Sequence, residues 1–188
     1  MRIIDGDHIV EAVKNLFIKL NYEPDSLAGI SFIESGMASD ELELATVLNE
    51  NMQKAKIERR PLCQDCRVAQ VFLKMGKFAT YSGASTIAHL INEGVSEAYS
   101  DGLLRKSTVA DPFNRTNEGR NLPAFIHLEE CDGDVFELTG MVKGGGSENV
   151  SALKMLSPAE GRVGVANFVF DTLKSAAGKG CPPYFIGI

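Results

Sequence analysis

Pro61 separates two hydrophobic rhythms, and the change between them limits the possible folds of this chain more than any other feature. Before it, Ile9, Val10, Val13, Leu16, Phe17 and Leu20 recur at helical spacing, with Asp7 placed to cap them. Asp40 and Glu43 form a capping-box pattern, and Leu44, Ala45, Leu48, Met52 and Ala55 follow on one side. This second helix should fade over Lys56–Arg60, because a proline disfavours helix at the residue before it. Residues 24–38 are mixed and assign no element. After Pro61, residues 69–75 read as a buried strand, and 123–130 and 134–143 as two more, with Asp132-Gly133 a hairpin signal between them. Ile87, Leu90, Ile91, Val95 and Ala98 mark a helix ending near Gly102. Another covers roughly 161–177, with Val169, Phe170 and Leu173 inward and Gly178 as its stop. The final YFIGI reads as a strand cut by the chain end, which predicts a piece of something larger and self-association through an uncovered edge.

Helices first and strands mostly later, with an antiparallel pair, predict an α+β fold: N-terminal helices followed by a mixed or antiparallel sheet flanked by helices. The 188 residues suit one domain, helical over 1–60 and sheet-containing over 61–188, the part that carries the chemical motifs. With 44% apolar residues the chain can build a core. A net charge of -6 with no basic stripe argues against nucleic acid as a partner, and no apolar run spans a bilayer. The N-terminus carries acidic residues where a secretion signal needs an unbroken apolar core, so a cytoplasmic location is expected. Four cysteines then read as free thiols, metal ligands or redox groups rather than structural disulfides.

Three clusters carry chemistry. In Pro61-Leu62-Cys63-Gln64-Asp65-Cys66-Arg67 a CxxC pair, an amide, a carboxylate and a guanidinium crowd one turn before a strand. Such a pair serves zinc, an iron–sulfur cluster or dithiol exchange, and a chance pair of thiols stands equally open. Arg67 beside the thiols would favour thiolate at either. Lys143-Gly144-Gly145-Gly146-Ser147-Glu148-Asn149 leaves backbone N–H groups uncovered for an anion, although a plain flexible turn looks the same. In Gly180-Cys181-Pro182-Pro183-Tyr184 two prolines set the backbone beside a sulfur, which suits a metal ligand or a rigid connection. Between them, Arg105 and Arg115 are of the type that grips a carboxylate with paired hydrogen bonds, although a solvated surface charge is the commoner role. His127 should face away from Ile126 and Leu128 as a structural histidine; His8 and His89 lie on helices and Cys131 is an incidental thiol beside a turn.

PLCQDCR, VFLKMG, GLLRKSTVADPFNRTNEG, KGGGSENVSALKML and CPPYFIGI occur in that order. The set resembles the alpha region of class I fumarate hydratases and L-tartrate dehydratases, from about Pro61 to Ile188 and more weakly before. The resemblance implies an iron–sulfur hydro-lyase acting on a small hydroxy-dicarboxylate of malate/fumarate or tartrate type. It implies a 4Fe–4S cluster held by three cysteines, with Cys63 matching the first ligand and Cys181 the second, and the third falling beyond Ile188. Gln64 and Asp65 match positions that touch substrate, Asp65 with a catalytic role; Arg105 matches a carboxylate-binding arginine, and Gly145 or Gly146 an N–H donor to a carboxylate. The proton-removing base belongs to a beta region, so a beta subunit or region is the implied partner, and this chain by itself should be inactive with a labile cluster.

Two motifs depart from the family pattern. Cys66-Arg67 stand where Thr-Gly is usual, leaving Cys66 open as a substitute ligand, and Asn117-Glu118-Gly119-Arg120-Asn121-Leu122-Pro123 stands for NTGDNTP. They motivate a rival reading, a non-catalytic scaffold that kept the fold and lost the cluster. A thiol–disulfide protein working through Cys63 and Cys66 ranks third, since nothing around them resembles a thioredoxin unit.

Overall fold

The computed structural model describes residues 1–23, 39–66, 68–180 and 186–188. They divide into two compact units, Met1–Val142 and Lys143–Ile188. Both helices and strands are present, in keeping with the α+β expectation.

The first unit opens on a short strand, β1 (Arg2–Ile4), ahead of the helix α1 (Gly6–Tyr22). Asp5, not Asp7, caps α1: the Asp5 carboxylate accepts the Asp7 amide at 2.9 Å. The helix α2 (Ser39–Glu58) buries Ala45 and Ala55, half-buries Leu48 and Met52 between them, and leaves Leu44 exposed, one position off the inward stripe. Past Pro61 come β2 (Val68–Gly76), β3 (Ala79–Tyr81) and the helix α3 (Ile87–Asp101). Thr86 caps α3 at its start, taking the His89 amide on its hydroxyl at 3.2 Å. Strands β4 (Phe125–Cys131) and β5 (Phe136–Lys143) close the unit.

The core is the layer between the sheet and two helices. Ile9, Val13 and Phe17 of α1, Ile91, Val95 and Tyr99 of α3, and Ala69, Val71 and Leu73 of β2 are almost completely buried. Burial of each larger side chain contributes about 1.5–3 kcal/mol. Gly94 lets the helices meet: a Cβ there would lie 2.6 Å from the Val10 carbonyl oxygen and 2.7 Å from the Val13 Cβ. On the opposite face of the sheet, Phe72 and His127 sit in register and stack at 4.7 Å between ring centres, so His127 does point away from the core.

Sheet order corrects the hairpin expectation. The strands run β4-β2-β5, with β2 between the two segments that Asp132-Gly133 connects. β2 and β4 are parallel, Gln70 opposite Phe125 and Gly76 opposite Cys131. The 132–135 connection crosses the end of β2, where Phe78 N–H donates to the Gly133 carbonyl at 2.8 Å and Gly76 N–H to Val135 at 2.7 Å. Gly76 makes room for it, since a Cβ there would fall 2.5 Å from the Gly133 oxygen. β1 and β3 form a separate two-stranded parallel sheet.

The second unit holds a short helix, α4 (Gly145–Asn149), a 3-10 turn (Pro158–Glu160) and the helix α5 (Gly161–Ala176). Val169 and Leu173 are half-buried, but Phe170 is 62% exposed, against the inward orientation read from its spacing. A segment this short cannot cover a whole helix face with its own residues. Of the expected terminal strand, residues 184 and 185 lie outside the described set, and 186–188 are exposed and not in a strand. Among the described residues no helix is long and apolar enough to cross a membrane.

Candidate active site

The parallel pairing of β2 and β4 sends the loops that precede both strands out of the same end of the sheet. The C-termini of α1 and α3 reach that end too. Tyr22, the last residue of α1, donates its hydroxyl to the Gly102 carbonyl just beyond α3. Leu62 N–H donates to the Asn21 carbonyl at 2.8 Å, and Asn51 of α2 donates to the Leu62 carbonyl at 2.9 Å. The 61–66 loop is thus tied to both N-terminal helices before it enters β2.

Within that loop Cys63 and Asp65 are half-buried and Gln64 is exposed. The Asp65 amide donates to the Cys63 sulfur at 3.4 Å. Cys66 turns the other way. It is 1% exposed, and its sulfur accepts the Arg105 amide at 3.1 Å. Tyr99 donates its hydroxyl to the Cys66 carbonyl at 2.6 Å. Burial pushes the Cys66 thiol up, with the Arg105 amide working against it and the charges of Cys63 and Asp65 adding to the rise. The thiolate expected at either cysteine rested on Arg67, which lies outside the described residues; at Cys66, burial raises the thiol and outweighs the charge of Arg105.

Arg105 reaches the surface by a defined turn. Leu103 takes a left-handed conformation with φ 49, Leu104 is buried, and Arg105 emerges exposed next to the Cys63 loop. The structure thus brings Cys63, Gln64, Asp65 and Arg105 into one neighbourhood although roughly forty positions separate the two segments. Arg115 also has positive φ, at 54, in a turn that the Asp111 carboxylate organises by accepting the Phe113 and Asn114 amides.

The altered NEGRN motif proves to be a brace. Asn121, 1% exposed, accepts the Ser107 amide at 2.8 Å and both the amide and hydroxyl of Thr108 on its side-chain oxygen. Asn117 donates to the Lys106 carbonyl at 2.6 Å. Arg120, the new cation, is paired with Glu118 at 2.8 Å, so the charge it introduces is met within its own turn. Glu118 also accepts the Arg120 and Leu122 amides. Its burial opposes ionisation, but these bonds together hold the carboxyl below its ordinary value. Sequence reasoning named this motif only as a departure. Asn121, Asn117 and Tyr99 carry no signal for their roles, because each acts on a residue distant in the chain.

Gly145 and Gly146 belong to the second unit, in the first turn of α4. Lys143 pairs there with Glu148 at 2.7 Å, and Ser147 donates to the Gly144 carbonyl at 2.9 Å. A Cβ on Gly146 would meet the Lys179 carbonyl at 3.2 Å, so the glycine run lies beside the residues leading to Cys181. Cys181 is outside the described residues.

For a cluster, the 61–66 loop supplies one accessible thiol, Cys63, with an N–H aimed at its sulfur. Among them no group of three or more cysteine, histidine or acidic side chains is arranged to hold a metal, and Cys66 is directed inward. The complete ligand set is therefore not found within the described residues.

Comparison with known proteins adds a second line. The family model for fumarate hydratase (fumerase) matches residues 10–188. A Methanocaldococcus jannaschii protein, provisionally named as an L(+)-tartrate dehydratase alpha subunit, is 44% identical over 146 residues, covering 74% of this chain and 50% of that protein. L(+)-tartrate dehydratase alpha subunits of Escherichia coli and Shigella sonnei are each 32% identical over 143 residues, covering 74% of this chain and 46% of those proteins. The chain spans about half the length of the curated relatives it matches.

Proposed function

This chain belongs to the fumarate hydratase (fumerase) family, and from that premise we propose that it is the alpha-type portion of a hydro-lyase that removes water reversibly from a small hydroxy-dicarboxylate. The observation that carries the reading is the Arg105 amide bonded to Cys66 Sγ, which joins the Arg105 turn to the Cys63-Gln64-Asp65 loop. A dicarboxylate needs a cation and N–H donors at its ends and polar groups at the carbon that loses hydroxyl. Arg105 would serve the first need and Gln64 and Asp65 would contact the hydroxyl-bearing carbon; an N–H donor to the second carboxylate is assigned to Gly145 or Gly146 by the family resemblance alone. Tartrate is the favoured substrate, because the relatives named above carry that activity in their names.

In this reading Cys63 and Cys181 would be two of the ligands of a 4Fe–4S cluster, which would supply Lewis-acid chemistry for loss of the hydroxyl. The residues of this chain bind and orient the carboxylates. The group that takes the proton from the neighbouring carbon is proposed to come from a beta-type partner, in line with the alpha-subunit names of the relatives.

The test combines this chain with a beta-type protein and the C-terminal half of a relative's alpha subunit, reconstituted anaerobically with iron and sulfide. Conversion of L(+)-tartrate, malate and fumarate is then followed. Turnover is expected only in the combined preparation, with a large loss when this chain carries Arg105→Gln. Robust turnover by this chain alone would show that the machinery is misplaced.

A further inference from the structure

Arg105 is useful to a dicarboxylate only if its backbone is held still, and two independent contacts hold it. On one side Ser107 and Thr108 hang from the buried side chain of Asn121. On the other the Arg105 amide ends on the sulfur of Cys66 at 3.1 Å. A partly buried amide needs an acceptor, and a backbone carbonyl or hydroxyl is the usual one. Here a thiol fills the role, and Cys66 is itself locked. Its carbonyl takes the Tyr99 hydroxyl at 2.6 Å, and its Sγ lies 3.6 Å from the Cys63 carbonyl, to which the thiol donates. One side chain thus touches both halves of the site: the backbone of Cys63 and the backbone of Arg105.

We infer that Cys66 is a positioning residue, its buried sulfur locking the Arg105 turn onto the Cys63-Gln64-Asp65 loop and so setting the grip of Arg105 on a dicarboxylate. The role differs from that of a substitute iron ligand, which needs an accessible sulfur, whereas Cys66 is 1% exposed. The inference rests on the dicarboxylate reading of the site and extends it to a residue that never touches substrate. A thiol that only fills core volume would affect stability and leave the affinity for substrate unchanged.

The test uses the isotopically labelled full chain, with amide exchange read by NMR and L(+)-tartrate titrated at millimolar concentration. In the unsubstituted chain the Arg105 amide should exchange slowly; rapid exchange there would overturn the lock without any substitution. Cys66→Ala should speed that exchange and weaken tartrate binding, each by roughly threefold to tenfold, the range a single hydrogen bond commands. Cys66→Ser, which keeps an acceptor, should restore both. In an Arg105→Gln background Cys66→Ala should cost no further affinity. Unchanged Arg105 exchange in Cys66→Ala, or an equal affinity loss with and without Arg105, would refute the inference. An absence of tartrate-induced shifts at Gln64, Asp65 and Arg105 in the unsubstituted chain would instead refute the dicarboxylate reading, and with it the substrate half of the inference, while the exchange data still decide the lock.

Discussion

Asn121 holds both the amide and the hydroxyl of Thr108 on one side-chain oxygen, at 3.0 and 2.9 Å, while its own backbone sits at φ 64. Two separate demands thus fall on a single buried residue: an acceptor of fixed direction and a left-handed backbone. Asparagine meets both better than any other side chain.

Asn121→Ala should therefore lose about 2 kcal/mol from the missing bonds and about 1 kcal/mol from forcing alanine into the left-handed region. Asn121→Gly should lose only the first part. Urea midpoints of the two variants separate the contributions, and equal losses would show that the backbone conformation is not selective.

Gly94→Ala sets two effects against each other. Helix preference favours alanine by about 1 kcal/mol. The added Cβ would meet the Val10 carbonyl at 2.6 Å, where helix backbone cannot yield as a side-chain tip can. Overpacking of this kind costs about 1–3 kcal/mol, so a net loss of stability is expected in chemical denaturation. A gain would mean that α1 and α3 separate easily.

Glu118 gives a pH signature. Its carboxyl is held below the ordinary value by the Leu122 and Arg120 amides and the Arg120 guanidinium, which outweigh its burial. A folded value below the unfolded one stabilises the fold above the unfolded value, and the contribution is lost as pH falls through the folded one. The Leu122 amide resonance should hold steady down through the ordinary glutamate range and shift only in more acidic solution. Glu118→Gln should remove that step.

Cysteine alkylation should distinguish the two thiols of the CxxC pair. Cys63 is half-buried at a loop surface and Cys66 is fully buried. Brief iodoacetamide treatment of the native chain, followed by peptide mass mapping, should label Cys63 at least about tenfold faster than Cys66. In denaturant the difference should vanish.

Cluster assembly should follow the same division. After anaerobic reconstitution, any visible absorbance should be weak and oxygen-labile, and Cys63→Ser or Cys181→Ser should abolish it. Cys131→Ser and Cys66→Ser should retain it, the latter because the Cys66 sulfur faces Arg105 and the core. Its loss in Cys66→Ser would put that sulfur on iron and contradict the inward orientation.

What the sequence alone determined is local or contiguous. Ile9, Val13 and Phe17 announce α1, and Ile91, Val95 and Ala98 announce α3, because a buried helix face repeats with the pitch of the helix itself. Strand β2 shows as a mainly apolar run around Val71, Phe72 and Leu73, and Cys63-Gln64-Asp65 is readable because the motif is one uninterrupted stretch. Only tertiary structure decided the rest. Asp132-Gly133 makes the same turn whether its strands pair directly or straddle a third, and the choice lay with Gly76, whose missing side chain lets the connection pass over β2. β1 and β3 are three residues each, too short for any period to show. Cys66 reads as a twin of Cys63, yet its sulfur is buried and accepts the amide of a residue thirty-nine positions away, while its carbonyl takes the hydroxyl of the buried Tyr99. Periodicity records which face of an element is buried; which distant backbone group meets that face is settled by packing, and packing is a property of the whole fold.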